Sequence, residues 1–157
     1  MSFIESLAAV ANDPAMRQRI YDHSKDILPH SPRCATVQSL VYYAAKGKPP
    51  ETITLAQCWP GTDGYRDARL KAGWNKCADM AALKPGYVLF SQDKAGRKGA
   101  PDHVYLFMGW LDQPRGVALI YDNNGAALRP RNLGKACWYK CRWLSATPFD
   151  YALYTTS

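Results

Sequence analysis

The chain has 157 residues, 47% of them apolar and 21% charged, with a formal net charge of +7. That length suits one domain, residues 1–157, with a real hydrophobic core, and the composition is that of an ordinary soluble globular protein. No apolar run approaches the ~20 residues that a membrane helix needs, so membrane insertion is not expected.

The opening Met1-Ser2-Phe3-Ile4-Glu5-Ser6-Leu7 lacks a basic leader and a long apolar stretch. It reads as an amphipathic helix over Ser2–Ala11, ended by Asn12-Asp13-Pro14, and not as a secretory signal. The expectation is synthesis in a cytoplasm without a signal peptide; work outside the cell would need another export route. Pro14 suits the first position of a second helix, capped by Asp13 and running to about Ile27, before Pro29-His30-Ser31-Pro32 breaks it. A third helix runs from about Cys34 to Ala45, with Val37, Leu40, Val41 and Ala44 at helical spacing, and Lys46-Gly47-Lys48-Pro49-Pro50 stops it.

The segment Glu51–Met80 reads as irregular, with one or two helical turns at Asp67–Ala72. From Tyr87 the pattern changes to strands. The turn Lys84-Pro85-Gly86 leads into Tyr87–Ser91, a polar loop covers Asp93–Pro101, and His103–Leu111 is a strong strand. Asp112-Gln113-Pro114-Arg115-Gly116 turns the chain into Val117–Tyr121, and short strands are expected near Cys137–Trp143 and Tyr151–Tyr154. Helices first and an antiparallel sheet afterwards indicate an α+β domain.

The positive charge favours an anionic partner, such as nucleic acid, a membrane surface or a bacterial cell wall, but only weakly, because the basic residues are scattered. The five cysteines are Cys34, Cys58, Cys77, Cys137 and Cys141. There is no C-x-x-C and there are only three histidines, so no metal site is expected. Two readings stand level: two disulfides, with Cys58–Cys77 and Cys137–Cys141 the natural pairs and Cys34 free, or five reduced thiols.

A thiol becomes a good nucleophile as a thiolate, which a helix N-terminus and a nearby imidazolium both favour. Cys34 is placed for the first, and His103 supplies the second if the fold brings it close. Backbone N–H groups in the first turn of the Cys34 helix have no partner within the helix and are free to donate to an oxyanion. Strand His103–Leu111 folds back on Val117–Tyr121 about a turn near Gln113, which puts His103 opposite Asp122, Asn123 or Asn124. Asp122 and Asn124 share a face if the strand persists. Asp-Asn-Asn-Gly is also simply a turn sequence.

These residues resemble the NlpC-type and CHAP cell-wall hydrolases of the papain-like superfamily. Their cysteine opens a helix in the pattern D-C-S-G-F-V-Q; here the run is Arg33-Cys34-Ala35-Thr36-Val37-Gln38. A family strand L-x-P-G-D-L-V-F-F is similar to Leu83-Lys84-Pro85-Gly86-Tyr87-Val88-Leu89-Phe90, and G-H-V-G-I-Y-x-G to Asp102-His103-Val104-Tyr105-Leu106-Phe107-Met108-Gly109. Asp122 and Asn124 resemble the acid and asparagine, two residues apart, of CHAP enzymes. Tyr21 occupies the place of a tyrosine that assists the oxyanion in NlpC-type members. The resemblance implies a papain-like fold, with N-terminal helices packed on a central antiparallel sheet. It also implies hydrolysis of an amide in peptidoglycan peptide stems by Cys34, His103 and Asp122, with no metal or organic cofactor. Trp59, Trp74 and Trp110 are candidates to line the groove.

Two settings fit a wall substrate: a small amidase toxin injected by a type VI-like secretion apparatus, acting in the periplasm or cell wall and blocked by a cognate immunity protein, or a phage lysin. The injected effector is the preferred expectation. The alternatives are a papain-like toxin acting on host proteins or lipids as a protease, deamidase or acyltransferase, and, less favoured, a non-catalytic basic binding module. No recognisable motif supports nucleic-acid binding.

Overall fold

The computed structural model describes residues 1–30, 32–92 and 101–157. Helix α1 (Phe3–Ala11) opens with a capping box: Glu5 N–H donates to Ser2 Oγ and Ser2 N–H donates to Glu5 Oε1, each at 3.1 Å. Helix α2 (Pro14–Ile27) starts on Pro14 and is capped by Asp13, whose carboxylate accepts from the Ala15 and Met16 N–H groups. Helix α3 (Cys34–Ala45) is different. No side chain caps its first turn, and every residue from Cys34 to Val41 is buried. Fully burying Leu40 and Val41 stabilises the fold by about 1.5–3 kcal/mol each. Helix α4 (Gly61–Lys71) is longer than the expected turn or two.

The strands are β1 (Asn75–Cys77), β2 (Val88–Ser91), β3 (Val104–Asp112), β4 (Val117–Tyr121), β5 (Arg129–Asn132), β6 (Cys137–Tyr139), β7 (Arg142–Leu144) and β8 (Phe149–Tyr154). Six of them form one sheet in the order β1-β8-β2-β3-β4-β5, with every pairing antiparallel, and β6–β7 forms a separate hairpin. The architecture is thus α+β, with α3 packed on β3 and one main buried cluster running from α1 through α3 into β2, β3 and β4. β1 and β5 are absent from the sequence reading, and the expected loop at Asp93–Pro101 lies, but for Pro101, outside the described residues. Among the described residues, no helix is long and apolar enough to cross a membrane.

Two glycines shape the sheet. Gly86 has φ +96°, and a Cβ there would sit 2.1 Å from the Ile4 carbonyl oxygen, so the turn before β2 can lie against α1 only without a side chain. Gly109 has φ +130° and lies in the first of two bulges where β3 slips against β4, between Phe107 and Gly109 and again between Trp110 and Asp112.

All five cysteines are free thiols. The two disulfides held open by the sequence do not form. In the β6–β7 hairpin Tyr139 pairs with Arg142, so Cys141 sits in the turn and Cys137 faces Leu144 instead. Cys58 donates to the Thr54 carbonyl at 3.6 Å and Cys77 to the Asp79 carbonyl at 3.4 Å, each thiol satisfied locally.

Candidate active site

Cys34 is the first residue of α3 and only 5% exposed. His103 immediately precedes β3, with its side chain 20% exposed, and Asp122 immediately follows β4, with its side chain 2% exposed. His103 Nε2 donates to Asp122 Oδ2 at 3.2 Å, since an ionised carboxylate only accepts. The same imidazole interacts with the Cys34 thiol by hydrogen bonding and by charge. Tyr105 lies beside the His103 ring, centroids 5.5 Å apart, and is itself fixed by a 3.0 Å bond from its hydroxyl to the Thr147 carbonyl.

The register explains how these groups meet. Extended without interruption from Asp112↔Val117, the ladder would set His103 opposite Ala126. Each bulge on β3 uses one extra residue, and the pairs Phe107↔Ile120 and Leu106↔Tyr121 bring the partner of His103 back to Asn124. That is one residue beyond the centre of the expected range. Asp122 is the diagonal neighbour on the same face, within reach of a long side chain.

Asp122 and Asn124 act together. Asp122 Oδ1 accepts from the Asn124 backbone N–H at 3.0 Å, and Oδ2 accepts from Asn124 Nδ2 at 3.1 Å and from Arg129 Nη2 at 3.5 Å. The two readings of Asp-Asn-Asn-Gly therefore coincide: the segment is an Asx turn, and the turn holds the carboxylate under the histidine. Asn124 reaches Asp122 and not His103. Asn123 makes neither bond, and its side-chain oxygen is buried without a partner.

Gln38, one α-helical turn beyond Cys34, donates from Nε2 to the Tyr121 carbonyl at 3.1 Å and so ties α3 to the end of β4 beside Asp122. Gln38 stood in the sequence motif without a role. Arg129 carries no sequence signal, because its strand, Arg129-Pro130-Arg131-Asn132, lacks strand-like alternation.

The electrostatics follow from these contacts. Burial pushes the Cys34 thiol up, but the hydrogen bond and charge of His103, with the Val104 and Ala35 backbone N–H groups, hold it below the ordinary value. Burial opposes charge on His103 as well, yet Asp122 and then Cys34 raise it to about 9. Asp122 is disfavoured as an anion by burial, but His103, the Asn124 N–H and Arg129 hold its carboxyl far below the usual carboxylate range. These contacts favour the thiolate, the imidazolium and the carboxylate together, so the three groups titrate as a coupled set.

Two depressions flank the cysteine and histidine, and Asp102 lines both. One, of about 300 Å³, is walled by Leu28, Cys34, Thr36, Leu55 and Trp59. The other, of about 490 Å³, is polar and holds His103, Asp122, Asn124 and Arg131. Of the three candidate groove tryptophans only Trp59 lines the cleft. Trp74 packs edge-on against Phe3 and Trp110 against Phe107. Tyr21 lines neither depression: it is half-buried on α2 with Lys25 5.1 Å above its ring. Among the described residues no group of three or more His, Cys, Asp or Glu side chains is placed to hold a metal ion.

The cysteines supply an internal contrast. Burial pushes the Cys58 thiol up to about 11, with only a Ser39 hydrogen bond opposing it. At pH 7 iodoacetamide is expected to label Cys34 at least tenfold faster than Cys58, as read by peptide mass spectrometry over time. Equal rates would contradict a thiolate at Cys34.

No protein-family model matches the chain, and neither a curated protein nor a solved structure matches it.

Proposed function

We propose that this protein is a papain-like cysteine amidase that cuts an amide bond in the peptide stems of peptidoglycan, delivered as an antibacterial toxin. The observation that carries the chemistry is the chain of contacts from Cys34 through His103 to Asp122, with the His103–Asp122 bond at 3.2 Å. The wall substrate rests on the motif resemblance around Cys34, Leu83–Phe90 and His103, and on the net charge of +7, which suits an anionic polymer.

In this reading the Cys34 thiolate attacks the amide carbonyl carbon, and the oxygen takes up the displaced electron pair. The N–H groups of the first turn of α3, which no side chain caps, are the donors that would receive that oxyanion. The tetrahedral species collapses as the His103 imidazolium gives its proton to the departing amine nitrogen, leaving a thioester on Cys34. His103, now neutral, takes a proton from water; the resulting hydroxide displaces the thiolate and releases a carboxylic acid. Asp122, held by Nε2, fixes the ring beside the thiol and stabilises the imidazolium at both steps.

Incubating the purified protein with bacterial sacculi and labelling new amine termini tests the reading. Soluble muropeptides with new termini are expected from wild type and none from Cys34→Ala. No release above the Cys34→Ala background would sink the wall-hydrolase assignment.

A further inference from the structure

The polar depression does not end at Asp122. It continues into a second groove of about 290 Å³, with which it shares Arg131 and Ser145, and whose far wall carries Arg142 and Trp143. The local structure explains why three guanidiniums gather there. Arg129 and Arg131 alternate on β5, so they point to one face of the sheet's edge strand. Arg142 opens β7, which packs against β5.

Arg129 is partly used by Asp122, through Nη2, while its Nε is buried without a partner. Arg131 Nε is likewise buried and unpartnered, and neither Arg131 nor Arg142 forms an ion pair with an acid among the described residues. Burial and then the like charges of Arg129 and Arg142 depress the basicity of Arg131, and the Asp122 carboxylate offsets this only in part. Trp143, 61% exposed, stands at the end of the track.

We infer that the Arg131–Arg142 groove is a binding subsite for a carboxylate carried by the substrate, so that the enzyme selects acidic peptides whose charged group lies on the His103 side of the scissile amide. Forked guanidiniums suit a carboxylate better than a point charge does, because two N–H donors match its two oxygens. A groove continuous with the depression that holds His103 and Asp122 makes that carboxylate part of the same substrate. The inference rests on the amidase reading for the meaning of the selectivity, but the binding event can be measured without hydrolysis.

The test uses Cys34→Ala protein titrated with two probes: an acetylated stem tripeptide with free carboxylates, and the same tripeptide with its carboxylates amidated. The acidic peptide is expected to bind at least tenfold more tightly than the amidated one. Arg131→Gln and Arg142→Gln, each added to Cys34→Ala, should weaken the acidic peptide about tenfold and leave the amidated one unchanged. Arg142 is exposed on the hairpin, so that variant keeps the test interpretable if Arg131→Gln unfolds. A third arm, inorganic phosphate competing with the peptide, separates sources: displacement only by carboxylate peptides supports the assignment, and equal displacement by phosphate at matched ionic strength overturns it. Equal binding of the two peptides, or no saturable binding of the acidic one, also overturns it. Charge-selective binding without sacculus hydrolysis would remove the amidase reading alone; hydrolysis without charge selectivity would remove only the groove.

Discussion

Replacing His103 with alanine is expected to lower kcat/KM for amide hydrolysis by about 10⁴-fold or more and to move the midpoint of Cys34 alkylation above the ordinary thiol value of 9.0. Both effects come from one ring. His103 lowers the thiol's pKa through its hydrogen bond and its charge, and in the proposed reaction the same ring supplies the proton that the departing amine needs. With the imidazole gone, burial is the largest remaining influence on Cys34, and burial raises a thiol. The Val104 and Ala35 N–H groups remain but carry no net charge. The check is the rate of iodoacetamide labelling of Cys34 across pH 5–10, in wild type and His103→Ala, with circular dichroism confirming the fold. A midpoint that stays where wild type has it would mean that the helix terminus alone sets the thiolate, and His103 would lose its role as ion-pair partner.

Much of the scaffold around this site could be read without coordinates, because strong breakers border it. Pro32 and Gly47 bracket α3, and the Pro-Gly turn at Pro85-Gly86 announces β2. The missed elements lack such contrast. β5 reads Arg129-Pro130-Arg131-Asn132, and a proline among charged residues argues against a strand unless it lies at an edge, which is where β5 sits. β1 is three residues long and takes its meaning only from pairing with β8. α4 contains Gly61 and Gly64, which weaken a helix locally, but tertiary contact with α3 overrides them.

The site was legible in its members and less so in its wiring. A cysteine at a helix start and a histidine at a strand start are local facts. That Asp122 and not Asn123 meets His103 depends on the bulges at Met108 and Leu111, whose number no simple hairpin count supplies. Arg129 and the basic groove required β5 first. Gln38 shows the converse case: its residue type stood in the motif, but its partner, the Tyr121 carbonyl, is 83 positions away in sequence.

Asp122→Asn is the second change with a large expected effect, about a 10⁴-fold fall in kcat together with a stability loss of about 3 kcal/mol. Asp122 Oδ2 accepts from three donors: His103 Nε2, Asn124 Nδ2 and Arg129 Nη2. An amide nitrogen in that place is a donor facing donors. If the amide turns over, its nitrogen instead meets the Asn124 backbone N–H that now binds Oδ1. Either way a buried group loses its partner and Arg129 loses its counter-charge, so the cost includes an unpaired cation.

The pH dependence provides the signature. The folded-state pKa of Asp122 is depressed, so its contribution is complete above the unfolded carboxyl value near 4 and is lost as pH falls toward the far lower folded value. His103 is raised to about 9 from an ordinary 6.5, so its contribution is complete below that ordinary value and is lost as pH rises through about 9. Wild-type stability should therefore fall off as pH drops below about 4 and, with Cys34 working in the opposite sense, fall more gently on the alkaline side. In Asp122→Asn the acid limb should flatten, because no carboxylate remains there to protonate, and His103 should titrate nearer its ordinary value. Urea unfolding at intervals from pH 3 to 10 measures both limbs. Because burial already works against the imidazolium, loss of Asp122 should make the His103 ring shed its proton at a lower pH, and the alkaline arm of the pH–rate profile should move down with it. An Asp122→Asn protein with an unshifted alkaline arm would assign that arm to another group and leave Asp122 a purely structural anchor for the turn.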